Sequence, residues 1–236
     1  MEPVYRERKS FCFVNLGCHK NQVDAEVILG SLDDSGFNLL DQPESADFIL
    51  VNTCGFIEPA RNESIEMLRE MDSRRSSGSK LVVTGCMADR DRDLLAKHVP
   101  AIDLFLSSFR LDDIPGLLLD DAQLQVPQKA SDFYWAESPR WLSTPESYAY
   151  VKISDGCDNC CTYCRIPYLR GPFRSRPKSI IMDEVQDIIE TGRHEIVLIS
   201  QDSTSWGKDV SGNGSLASLV RDISDLNGVR RLRVMY

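Results

Sequence analysis

The sequence predicts an α/β protein in two parts: an amino-terminal open parallel sheet with helices on its faces, then the opening of a parallel (β/α) barrel. Two observations carry this prediction. From Ser10 to about Leu119, short β-rich runs alternate with amphipathic stretches of helical period. From Tyr148 onward, the order strand, helix, strand, helix, strand unfolds once and stops. The boundaries that follow are 1–119 for the first domain, 120–147 for a linker and 148–236 for the second domain. In the linker the periodicity fails, and Pro127, Pro139 and Pro145 stand among polar residues.

The first part contains four apolar runs short enough to be strands: Phe11 to Leu16, Asp47 to Asn52, Lys80 to Thr84 and Ile102 to Leu106. Helices are expected between them. Val23 to Leu32 puts Val23, Val27, Ile28 and Leu32 on one face, and Glu63 to Met71 does the same with Ile65, Leu68 and Met71. Asp91 to His98 carries a weaker stripe of Leu94 and Leu95. In the second part, Tyr148 to Ile153 is the first strand, and a helix follows over Ser179 to Thr191 with Ile181, Val185, Ile188 and Ile189 as its stripe and Gly192 as its stop. Glu195 to Ser200, Leu216 to Leu226 and Arg231 to Tyr236 supply the next strand, helix and strand. Three strands do not close a barrel, so the chain reads as the front part of a longer protein, expected to be poorly soluble or inactive in isolation.

At 236 residues and 42% apolar composition there is enough material for one large or two modest cores. No stretch reaches the roughly 20 apolar residues of a membrane span, and the start Met1 to Arg6 is polar, so the expected location is cytoplasmic, without membrane association. The 27 basic residues against 36 acidic ones leave a net charge of −9, which disfavours broad adhesion to a phosphate backbone.

Cysteine placement carries the chemistry. Cys157, Cys161 and Cys164 form a CxxxCxxC string, and three thiolates at this spacing suit an iron-sulfur cube with one iron left open to a small molecule. A closed zinc site is disfavoured because no His follows nearby, and disulfides are disfavoured by the expected compartment. Cys160 reads as a spare thiol. In the first part, Cys18, Cys54 and Cys86 each fall just past a predicted strand and beside Gly17, Gly55 and Gly85. Ligands of open parallel sheets gather at the carboxyl ends of the strands, so these thiols are candidates for a second cluster, the alternative being three separate buried thiols. Cys12, within a strand, is assigned to packing. Arg165, Arg170, Arg174, Arg176 and Lys178 form a local basic patch, read either as partners for an anionic group or as a solvated face.

With these residues in view, the chain resembles the radical S-adenosylmethionine (SAM) methylthiotransferases over nearly its whole length. The resemblance is carried by Asn15 to Asn21 with Asp24 and Glu26, Val51 to Ile57, Val83 to Cys86, Lys152 to Cys157 and on through Pro167, Arg170 to Pro177, and Leu198 to Asp202. The stretch Leu16 to Asn21 is similar to the branch acting on a ribosomal protein, with His19 a departure from its usual pattern. The resemblance implies an incomplete radical SAM (β/α) barrel and two 4Fe-4S clusters. Cys157, Cys161 and Cys164 would hold the cluster that cleaves SAM to a 5′-deoxyadenosyl radical, with Tyr163 beside the adenine. Cys18, Cys54 and Cys86 would hold the auxiliary cluster, which presents sulfur to the substrate, while another SAM supplies the methyl group. The implied substrate is the β-carbon of an aspartate in a small-subunit ribosomal protein (S twelve), and the implied electron source a low-potential donor such as flavodoxin or ferredoxin. Methylthiolation of a tRNA adenosine is the alternative within the same chemistry, and a noncatalytic iron-sulfur electron-transfer module the alternative from another class. The later barrel strands and the carboxyl-terminal TRAM domain of the family do not occur in the chain.

Overall fold

Five parallel strands form the first sheet: β1 (Ser10–Asn15), β2 (Asn38–Leu39), β3 (Phe48–Thr53), β4 (Lys80–Gly85) and β5 (Leu104–Phe105), in the order β2-β1-β3-β4-β5. The computed structural model describes residues 8–120, 135, 139–210, 212 and 214–236. The chain divides into two units between Trp141 and Leu142. The expected linker at 120–147 falls largely on residues outside those described.

Every residue of β3 is buried, as expected of a central strand covered on both faces. Alternate side chains feed two cores. Phe11, Leu50, Val82 and Leu104 pack with Val27, Ile28 and Leu32 of α1 (His19–Asp34) and with Ile114 and Leu118 of α5 (Ile114–Asp120). Ile49, Val51, Leu81 and Val83 pack on the other face with Ile65, Leu68 and Met71 of α2 (Glu58–Arg74). Met87 and Ala88 of α3 (Cys86–Arg90) and Leu95 of α4 (Arg92–His98) complete that second core. Each Leu or Ile side chain fully withdrawn from water here contributes roughly 1.5–3 kcal/mol.

Helix α1 starts four residues before its apolar stripe and is buried on its polar side too, at Lys20, Asn21, Asp24, Glu26 and Ser31. The segment at 139–141 accounts for part of this cover. Trp141 N donates to Glu26 O at 3.0 Å, and the Arg140 guanidinium pairs with the buried Glu26 carboxylate. Cys12 lies in the second core, and burial pushes its thiol pKa up, in keeping with packing.

In the second unit, β6 (Tyr148–Lys152), β9 (Glu195–Ile199) and β10 (Arg231–Met235) form a parallel sheet in the order β10-β9-β6. Ala149, Val151, Ile196 and Leu198 pack against Ile181, Val185 and Ile188 of α7 (Lys178–Glu190) and against Leu219 and Ile223 of α8 (Leu216–Ser224). Trp206 is 1% exposed in this core, and its indole N–H donates to Arg176 O at 3.1 Å. Among the described residues the sheet stays open at three strands. Between β6 and α7 lie three short elements absent from the expectation: β7 (Ser154–Asp155), α6 (Ile166–Arg170) and β8 (Arg174–Ser175), with β7 and β8 paired antiparallel. Among the described residues no helix is long and apolar enough to cross a membrane.

Candidate iron-sulfur sites

The strand order of the first unit reverses between β1 and β3, because β2 lies on the far side of β1. A crevice outside the carboxyl ends of the strands at such a reversal is where open α/β sheets bind ligands. Cys18 stands in the turn after β1 as the residue capping α1, Cys54 follows β3, and Cys86 follows β4 as the first residue of α3. The three thiols thus occupy three adjoining strand ends. Gly17 lets the turn before Cys18 approach Cys54: its φ of +104° is left-handed, and a Cβ there would lie 3.0 Å from Cys54 Cβ and 3.3 Å from Cys54 Sγ.

A buried amide network stitches these ends. Asn21 Nδ2 donates to Leu16 O and to Thr53 O, both at 3.0 Å, while Asn21 Oδ1 accepts from Cys86 Sγ at 3.7 Å. Asn52 Nδ2 donates to Asn15 Oδ1 and to Asn21 O, both at 2.9 Å, and Thr53 Oγ1 donates to Thr84 O at 2.7 Å. Cys54 N donates to Ser64 Oγ at 3.1 Å. Cys54 and Cys86 are buried, and Cys18 is exposed. Asn21 and Asn52 stand in the sequence motifs without an assigned role. The signal for one is a row of polar residues across apolar strands, since Asn15, Asn52 and Thr84 are register partners.

In the second unit the CxxxCxxC loop springs from β7 and ends at α6. Asp155, 1% exposed, sits behind its start. Its Oδ2 lies 3.1 Å from Lys152 Nζ and 3.5 Å from an Arg170 guanidinium nitrogen, and its Oδ1 accepts from Gly156 N at 2.8 Å and Gln201 Nε2 at 3.0 Å. Burial alone would raise the pKa of this carboxyl. The charges of Lys152, Arg170 and Arg174, with the Gly156 amide, outweigh burial and hold it far below the usual carboxylate range. Arg170 closes α6, so one ion pair clasps both stems of the cysteine loop. Cys157 N donates to Gly171 O at 3.2 Å, Phe173 N donates to Asp158 Oδ1 at 2.9 Å, and Cys164 N donates to Cys161 O at 3.0 Å. Gly156, at φ +74°, touches the backbone so closely that a Cβ would stand 2.1 Å from Pro172 O.

Cys157 is buried, Cys164 half-buried, and Cys160 and Cys161 exposed. The Cys160 thiol is 3.8 Å from Asp158 O. Tyr163 is 84% exposed. The basic cluster in the sequence does not form a solvated face, because several of its charges are committed within the fold. Arg170 and Arg176 are buried, Arg170 against Asp155 and Arg176 against Glu184, and Lys178 pairs with Asp222. Arg165 lies over the ring of Tyr168, 5.4 Å from its centroid.

All eight cysteines are free thiols. Among the described residues, no three His, Cys, Asp or Glu side chains are drawn into metal-binding geometry, so neither cysteine trio is closed. In kind, the residues suit an iron-sulfur group. Each set offers three soft sulfur donors, one set on a single clasped loop and the other at adjoining strand ends linked through Asn21.

Residues 10–107 match the family described as Uncharacterized protein family UPF0004. The chain is 39% identical over 235 residues to "Ribosomal protein uS12 methylthiotransferase RimO" of Trichlorobacter lovleyi, covering 97% of this chain and 52% of that relative. It is 42% identical over 233 residues to the protein of the same name from Sorangium cellulosum, covering 95% and 48%. The chain thus spans about half the length of the curated relatives it matches. Among solved structures, the radical S-adenosylmethionine methyltransferase TsrM from Kitasatospora setae, with cobalamin and a [4Fe-4S] cluster bound, superimposes with a TM-score of 0.61. That match has 14% identity over 96% of this chain and 55% of that one, a likeness of fold. Over most of its length the chain is similar to about half of each of these relatives named RimO, and its residues 10–107 carry the UPF0004 match.

Proposed function

We propose that the protein carrying this chain transfers a methylthio group to ribosomal protein uS12, at the β-carbon of an aspartate, with SAM and two 4Fe-4S clusters. The observation that carries the reading is the pair of separate three-cysteine sets, one in each unit and none of the thiols disulfide-bonded, in a chain related to proteins named for that activity. Cys157, Cys161 and Cys164 would hold the cluster that binds SAM, and Cys18, Cys54 and Cys86 the second. The chemistry such groups supply when bound is reductive scission of a carbon-sulfur bond at one site and delivery of sulfur at the other.

The chain's own residues do the rest. Asp155 holds the stems of the cysteine loop together through Lys152, Arg170 and Gln201. The amides of Asn21 and Asn52 hold the strand ends that present the other thiols. Burial of Cys54, Cys86 and Cys157 keeps water from most of their surface, which protects reactive species from quenching. Tyr163 offers an exposed ring for the adenine of SAM. A low-potential donor such as flavodoxin or ferredoxin would supply electrons in the cytoplasm. The net charge of −9 weighs against a tRNA substrate.

The test is an anaerobic assay of the reconstituted full-length protein with SAM, a reductant and uS12, read by mass spectrometry for methylthio-aspartate and by chromatography for 5′-deoxyadenosine. Both products are expected, and Cys157→Ala should abolish both. A methylthio group found on tRNA adenosine, with uS12 untouched, would overturn the substrate assignment.

A further inference from the structure

The cysteine loop carries a polar side chain that the functional reading leaves unused. Asn159 is exposed, yet its Nδ2 lies 3.4 Å from Cys157 Sγ and 3.1 Å from Asp202 Oδ2. A carboxylate accepts and does not donate, so the nitrogen of the amide must be the atom facing Asp202. That nitrogen carries two hydrogens: one goes to Asp202 and the other is available to the sulfur. Asp202 is itself fixed, since its Oδ1 accepts from Thr204 Oγ1 and its Oδ2 from Ser205 Oγ, both at 2.7 Å. The turn after β9 therefore dictates which way the Asn159 amide points.

We propose that Asn159 is a positioning residue of the CxxxCxxC site: held by Asp202, it aims an N–H at Cys157 Sγ and raises the reduction potential of the iron-sulfur group held there. The inference rests on the reading of Cys157, Cys161 and Cys164 as ligands. An N–H directed at a ligand sulfur draws electron density from it and favours the reduced, more negative state of the group. Asp202 sets the aim and Asn159 supplies the hydrogen, so their substitutions have different sizes. Neither residue takes part in the Asp155 clasp or in the backbone bonds of Cys157 and Cys164, so the loop stays anchored without them.

The test uses the full chain with Cys18, Cys54 and Cys86 replaced by Ala, leaving the loop as the single expected iron site, reconstituted anaerobically with iron and sulfide. Midpoint potentials come from titration followed by electron paramagnetic resonance, beside iron content. Asn159→Leu should retain iron and shift the potential to a more negative value, and Asp202→Ala should shift it the same way by less. An unchanged potential in Asn159→Leu at full iron content overturns the proposal. So does loss of iron in Asn159→Leu with the parent potential kept in Asp202→Ala, because Asn159 would then only shape the loop. Failure of the parent chain to take up an iron-sulfur group is a separate result, and it removes the ligand assignment itself.

Discussion

Asp155 decides how firmly the second unit holds its cysteine loop, because the Asp155 carboxylate neutralises cations from β6 and α6 inside the fold. Asp155→Asn keeps the shape but removes the carboxylate charge that Lys152 and Arg170 share, and breaking a buried pair in this way costs about 3–5 kcal/mol. Urea unfolding followed through the buried Trp206 should show a loss of that size. The pH dependence has a definite sign. The folded-state pKa is depressed, so the contribution is complete above the unfolded value of about 3.9 and drains away as pH falls from there toward the folded value. The gap between wild type and Asp155→Asn should be constant from neutral pH down to about pH 5 and shrink below about pH 4. Gly156 is as sensitive for a different reason. Gly156→Ala combines a left-handed backbone with a collision against Pro172 O, and a loss of at least about 1–3 kcal/mol is expected in the same experiment.

At the scale of elements, legibility followed length and burial. The runs that became β1, β3, β4, β6 and β9 could be read because strands buried between layers are continuous apolar stretches, and α2, α7 and α8 because their stripes repeat over several turns. β2, β7 and β8 have two residues each and α6 has five, too few for any period. Their partners are also distant in sequence, as in Ser154 with Ser175. The basic cluster from Arg165 to Lys178 was open to two readings, partners for an anionic group or a solvated face, for the same reason: its counter-charges at Asp155, Glu184 and Asp222 are identified only by the fold. Helix α1 makes the point testable. Its motif residue Glu26 is buried against Arg140, so Glu26→Ala should cost the first unit about 3–5 kcal/mol, although the position lies on the helix's polar side. A chemical-denaturation midpoint unchanged by that substitution would contradict the account of the 139–141 cover.

For the molecule as a whole, the placement of six cysteines at strand ends and on one loop was legible in the sequence, because each of Cys18, Cys54 and Cys86 stands next to a Gly just past an apolar run, and the other three are close together in the sequence. The reversal of strand order at Cys18 and Cys54, and the amides of Asn21 and Asn52 behind them, depend on which strands pair, and the sequence does not display that pairing. The central claim is that the chain holds two independent three-thiolate iron sites. Iron and acid-labile sulfide counted after anaerobic reconstitution of the chain, of Cys157→Ala and of Cys86→Ala test it most directly. The account predicts about eight irons for the chain and about four for each variant, with the two variants losing different spectroscopic signals. If both substitutions removed the same iron, or if neither removed any, the claim would be contradicted.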